Sequence, residues 1–133
     1  MGICCPRGGL TATDKVIWAG TETDSELGEY AWFKTNSDNK THEVKKKKPN
    51  GYGLYDMSGN VNEWCWDRYN SAQYTTDQAG VTNPQGDVSA PNRVFRGGSW
   101  NSDKGNCRMS RRNFYSAGVR NQNLGFRLVR SVR

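Results

Sequence analysis

Two carboxylates spaced around a glycine, and a dense set of small polar and aromatic residues near the C-terminus, are the groups in this chain best suited to chemistry. Asp56, Gly59, Val61 and Glu63 form the spacing D-x-x-G-x-V-x-E. Carboxylates are hard ligands, and Ca²⁺ takes about six to eight oxygens at roughly 2.3–2.6 Å. Gly59 permits the tight loop such a site needs. The same spacing also lets Asp56 cap a turn and Glu63 pair with an arginine, and both readings stay open. The second set is Asn101, Ser102, Asp103, Asn106, Arg111, Asn113, Phe114, Tyr115, Ser116, Gly118, Val119, Asn121 and Gln122. Binding surfaces of this composition draw contact area from aromatics and adaptable hydrogen bonds from Ser, Gly and Asn. An ordinary polar loop shares the composition, but the adjacent pair Phe114-Tyr115 in so polar a stretch favours a surface that meets a partner. Cys4, Cys5, Cys65 and Cys107 lack zinc-site spacing, and His42 is the single histidine. Cys65, between Trp64 and Trp66, reads as a packed free thiol.

These groups need elements to position them. Val61 to Asp67 alternates as a strand, with Val61, Glu63, Cys65 and Asp67 on one face. Val94-Phe95 begins a second strand that stops at Gly97-Gly98. Cys107–Asn113 and Gly125–Arg130 read as two more strands, an antiparallel pair joined by the polar stretch 113–123. Residues 101–106 and 113–122 then leave this frame as adjacent loops, with Arg111, Asn113, Phe114, Tyr115 and Asn121 turned to solvent on one face. Residues 70–92, rich in Asn, Gln, Thr, Gly and Pro, form a long surface connection. Ser25–Tyr30 supports one short helical turn, capped by Ser25. Trp64, Trp66, Trp100, Phe95, Leu124, Phe126 and Leu128 are the expected packing residues.

A chain of 133 residues with 34% hydrophobic residues and 15 glycines is one domain with many turns. No run of about 18 apolar residues is present to span a membrane. The net charge of +6 comes from Lys45–Lys48 and scattered arginines. Without an RNA-binding aromatic motif or a basic helix, it reads as a solvated lysine loop plus locally paired arginines, not a nucleic-acid surface.

Three ordered motifs carry a resemblance: Asn50–Trp64 (N-G-Y-G-L-Y-D-M-S-G-N-V-N-E-W), Arg93–Trp100 (R-V-F-R-G-G-S-W) and Asn123–Leu128 (N-L-G-F-R-L). Together they resemble the formylglycine-generating-enzyme, or sulfatase-modifying factor, family, from about Arg7 to Arg130. The resemblance implies an α+β, C-type-lectin-like fold of short antiparallel strands, many loops and little helix. It implies calcium held by Asp56 and Glu63 with the carbonyls of Gly59 and Val61. It also implies that residues 1–133 form one domain without the N-terminal part of the family domain, Cys5-Pro6-Arg7-Gly8-Gly9-Leu10 looking like an internal segment.

In the enzymes of this family, two cysteines just after the Gly-Gly-Ser motif bind Cu(I). Here Cys107 matches the second position and Ser102 the first, and a hydroxyl is a poor ligand for that soft ion. The expectation is therefore a protein without copper and without oxidase activity; the alternative is a copper-dependent formylglycine-generating oxidase acting on sulfatase cysteines. The C-terminal third resembles the variable region of retroelement-diversified proteins, in which asparagine codons are mutagenised while the frame is kept. That likeness implies display of a ligand-binding face, a protein or other macromolecular ligand, and a cell-surface or secreted setting.

Overall fold

The computed structural model describes residues 17–71 and 89–129. The expectations for Cys4, Cys5 and the N-terminal segment, and for most of the 70–92 connection, lie outside the described residues. The order of elements follows from where the chain can bury apolar surface. Asp24–Glu26 form a 3-10 turn that runs into helix α1 (Leu27–Tyr30). The predicted turn is there, but Ser25 lies within it instead of capping it, and no side chain caps the preceding Thr23 position. Thr21 Oγ1 donates instead to Glu26 at 2.7 Å. The single buried residue of α1 is Leu27, which joins Trp18, Ala31 and Cys107 in the apolar core.

Strands β1 (Asn62–Arg68), β2 (Asn92–Arg96), β3 (Asn113–Ser116) and β4 (Leu124–Gly125) form one sheet in the order β3-β2-β1-β4. The β1–β2 and β2–β3 pairs are antiparallel, and β4 runs parallel to β1. Two expectations are corrected here. Cys107–Asn113 is not a strand: Lys104–Cys107 is a 3-10 turn, and a strand begins only at Asn113. Cys107 is fully buried, and its carbonyl accepts from Ser58 Oγ at 2.9 Å, so it is tied to the core and not to a ladder. The last two strands also do not pair with each other; they edge the sheet on opposite sides.

The expected packing set divides. Phe95 is buried, while Trp64, Trp100 and Leu124 are half-buried. Trp66, Phe126 and Leu128 are 61%, 73% and 87% exposed. The β1–β2 register shifts between Trp64 and Arg68, which turns Trp66 outward beneath the Arg93 guanidinium. Phe126 and Leu128 lie beyond the last ladder pair of β4, where no described strand faces them.

The turn before β1 binds these pieces together. Asn60 donates its backbone N–H to Trp32 O at 2.7 Å and accepts from Trp100 N at 2.7 Å. Its side-chain amide makes both hydrogen bonds to the His42 backbone, each at 3.0 Å. Gly59 has φ +79°, and a Cβ there would stand 2.2 Å from Trp32 O. Gly59→Ala should therefore cost roughly 1–3 kcal/mol for the left-handed backbone alone, with the clash in addition. Gly118→Ala, where nothing lies within 4 Å, should stay within about 0.5 kcal/mol. Urea unfolding of the two variants beside the parent chain checks both values.

Candidate functional site

Side chains on a strand alternate between faces, so the register assigns each one. Trp64 pairs with Phe95 across β1–β2, their rings meeting edge to face at 6.0 Å. Phe95 faces Asn113 across β2–β3, and the Tyr115 ring stacks on Phe95 at 4.8 Å. Phe114 projects from the other face and stacks on Tyr69 at 4.0 Å. The aromatic pair thus sits on an edge strand and points both ways, not in a loop and on one face as expected. Phe114 and Tyr115 remain 43% and 40% exposed.

An open pocket of about 410 Å³ lies here, lined by Asn62, Phe95, Ser102, Asn106, Arg111, Asn113, Phe114, Tyr115 and Asn123. Ser102, Asn106, Arg111, Asn113, Phe114 and Tyr115 of the sequence-derived set are brought together. Asn101, Asp103, Ser116, Gly118, Val119, Asn121 and Gln122 lie outside the lining. Asn101 Oδ1 accepts from Ser99 Oγ and Asn123 Nδ2, and so props the wall from behind. Asp103 pairs with Lys34 at 3.4 Å. Asn121 Oδ1 accepts from the backbone of Asn123, and Val119 closes a turn back to Ser116.

Asn62, Phe95 and Asn123 line the pocket without having been anticipated. The alternation of β1 already set Asn62 apart from the Val61–Asp67 face, and that was the available signal. The wall is rigid where these residues meet: Asn62 donates its backbone N–H to Asn123 O at 2.8 Å and its side-chain Nδ2 to the same oxygen at 3.2 Å.

At the first of the two positions that the family resemblance aligns with a copper-binding cysteine pair, Ser102 Oγ accepts from Ser99 N at 3.0 Å and lies 3.0 Å from Ser99 Oγ. Cys107 packs under Gly98, where a Cβ would come within 2.6 Å of its Sγ. Burial, followed by the charge of Asp103, pushes the Cys107 thiol up to about 12. Ser102 supplies a hydroxyl already engaged with Ser99, a poor ligand for soft Cu(I), so one thiol remains where a linear thiolate pair needs two.

Glu63 and Asp56 sit beside one guanidinium. Arg127 grips Glu63 through Nε at 3.0 and 3.2 Å and Nη2 at 2.7 Å, and Nη2 also donates to Tyr55 O at 2.8 Å. Glu63 holds the Arg127 pKa above its ordinary value. Asp56 is buried; its Oδ2 accepts from Lys45 N at 2.8 Å, while Oδ1 has no hydrogen-bond partner. Gly59 lies in the turn between them, its N–H donating to Gly97 O, and Val61 packs where a Cβ on Gly125 would be.

The expected lysine loop is not simply solvated. The Lys47 ammonium stands 3.7 Å from the Trp32 ring and donates to Gly28 O, and burial lowers its pKa. Lys46 pairs with Glu43 and Lys48 with Glu29. Several arginines do bond locally: Arg93 to Trp66 O, Arg96 to Met109 O, Arg108 to Gly105 O and Arg112 to Asn70 O. Among the described residues, no helix is long and apolar enough to cross a membrane.

The family described as "Sulfatase-modifying factor enzyme 1-like domain" matches residues 7–132. The chain belongs to this family. Treponema denticola variable protein 1 has a solved structure that superposes on this sulfatase-modifying-factor domain with a TM-score of 0.71. It is 46% identical, and the match covers 84% of this chain and 39% of that one. That likeness bears out the α+β, lectin-like frame of short strands and little helix. The formylglycine-generating enzyme of Mus musculus is 35% identical over 117 residues, 84% of this chain and 28% of the enzyme. The serine/threonine-protein kinase pkn1 of Chlamydia pneumoniae is 40% identical over 92 residues, 69% of this chain and 15% of the kinase. The domain thus spans well under half the length of each of these relatives.

The state of Cys107 can be checked directly. A thiol held protonated by burial contributes fully to stability below its ordinary value of 9.0, and that contribution is lost as pH rises toward 12. Alkylation near about pH 8 should leave Cys107 unmodified in the folded domain and modified after unfolding, as read by peptide mass mapping. Rapid native labelling at this position would contradict the burial described.

Proposed function

We propose that this domain is a non-catalytic display module that binds a protein ligand through the pocket in front of Phe95 and Tyr115. One observation carries the reading: the pocket wall holds side chains that the fold itself does not use. Asn106, Arg111 and Asn113 line it, and their side chains make no hydrogen bond or ion pair among the described residues. Uncommitted polar groups on a strand and the turn and loop before it, beside a ring stack, are suited to recognition. The 46% identity to a variable protein supports the same reading. Diversification of the asparagine codons by a retroelement, and a cell-surface or secreted setting, belong to this proposal. A near-repeat of the 3′ end and a reverse transcriptase gene in the flanking DNA are its genetic test.

The oxidase alternative draws on the formylglycine-generating relatives, and the Ser102–Cys107 pair weighs against it. The unmodified domain should bind Cu(I) neither tightly nor stoichiometrically, and should not convert a sulfatase-derived cysteine peptide. Either activity would return the enzyme reading to first place. For display, a random-peptide library panned on the domain should give binders whose affinity falls at least roughly tenfold with Asn106→Ala and Asn113→Ala, the loss of about one or two hydrogen bonds. The melting midpoint should not move. Binders indifferent to both changes would place recognition elsewhere and end the proposal.

Calcium is also part of this reading. The partnerless, buried Oδ1 of Asp56 supports a cation there. Glu63 opposes it in part, since a cation must compete with Arg127 for its oxygens. Saturation at about a hundred times the dissociation constant adds roughly 2.7 kcal/mol, so chelator should lower the melting midpoint and Asp56→Asn should abolish that shift. An unchanged midpoint with chelator would remove calcium from the description.

A further inference from the structure

The pocket wall carries one charged side chain, and it is positive. Arg111 is fixed at its backbone, where its carbonyl accepts from Arg96 Nη1 at 3.3 Å. Arg111 lines the pocket, its guanidinium makes no hydrogen bond or ion pair among the described residues, and no Asp or Glu is part of the lining. The nearest acid in sequence, Asp103, is taken by Lys34. Asn106 and Asn113 belong to the same lining, and their side-chain amides are likewise uncommitted among the described residues. Asn113 is the ladder partner of Phe95, and Tyr115, two residues further, stacks on the same ring. A hydrogen-bonding fork, amide donors and an aromatic stack therefore share one open pocket.

A guanidinium fork matches a carboxylate in two parallel hydrogen bonds, and such charge-assisted bonds are the stronger kind. Amide groups beside it can donate to the same anion or to a peptide carbonyl. The chain as a whole is at +6, which raises the rate of encounter with an acidic partner. Resting on the display reading above, we propose that the pocket captures an acidic segment of a protein. An Asp or Glu carboxylate would sit on Arg111, and the neighbouring apolar or aromatic residue against the Phe95–Tyr115 stack.

The test uses binders selected from a random-peptide library on the intact domain. Those lost with Asn113→Ala should be enriched in Asp or Glu next to an apolar residue. Their affinity should fall roughly 10- to 100-fold with Arg111→Gln, the range for a hydrogen bond to a charged group. Arg111→Lys should restore only part of it. Arg120→Gln, which removes the same charge outside the pocket lining, should have little effect, which separates a local fork from net charge. Added salt should weaken acidic binders more than the rest. Pocket-dependent binders without acidic enrichment, or indifferent to Arg111→Gln, would sink this inference and leave the display reading standing. Binders that ignore the pocket altogether would sink both. Recognition of sialylated or uronic-acid glycans on an array, with no peptide binders, would overturn the assignment to an acidic protein segment.

Discussion

The turn Ser58–Asn60 is the point on which the rest of the structure depends. Its buried polar groups reach several otherwise separate stretches of chain. Ser58 Oγ joins Ala19 N to Cys107 O, Gly59 N reaches Gly97 O, and Asn60 ties Trp32, His42 and Trp100. Such an arrangement requires a backbone that most residues avoid: φ is +79° at Gly59 and +61° at Asn60. Glycine adopts it without steric cost, and asparagine is among the few others that tolerate it. Buried donors and acceptors left unpaired cost more than paired ones gain, so the network is strongly all-or-none. It compensates for a modest apolar core, in which Trp18, Leu27, Ala31 and Cys107 form the central cluster.

That hub also places the pocket. Asn60 receives Trp100 N, which fixes the chain just before Ser102, and Ser99 fixes Ser102 itself. β1 leaves the hub directly and carries Asn62 into the wall. β2 enters it through Gly97, with Phe95 two residues earlier on the pocket floor. The hub thus fixes the side of the pocket formed by Ser102, Asn62 and Phe95, whereas the side chains of Asn106, Arg111 and Asn113 on the same lining make no hydrogen bond among the described residues.

The same frame serves relatives that bear different names. In this chain the hydroxyl at 102 is engaged with Ser99 and the thiol at 107 is fully buried. Arg127 does something similar on the other face. It folds onto Glu63 and Tyr55 O, and so closes around a carboxylate that the spacing alone offered to a cation. Asp56, one turn earlier, keeps a buried oxygen without a partner. One member of the sequence-predicted metal pair is therefore spoken for, and the other is not.

The sequence by itself determined the frame. The N-G-Y-G-L-Y-D-M-S-G-N-V-N-E-W and R-V-F-R-G-G-S-W motifs state the tight turns and the first two strands, because glycines and alternation act over a few residues. It also determined which residue types the C-terminal third carries. Only the tertiary structure decided where they go. Cys107 gave up a strand for a core position because Ser58 claims its carbonyl. Phe114 and Tyr115 took opposite faces because Asn113–Ser116 pairs with β2, and pairing is a contact between distant segments. Phe126 and Leu128, apolar and regularly spaced, are exposed because no described segment lies across from them. Asn62 and Asn123 entered the pocket wall through a parallel pairing of β1 with β4 that neither segment encodes locally. Short-range stereochemistry is written in neighbouring residues, whereas the choice of partner strand depends on the whole chain at once.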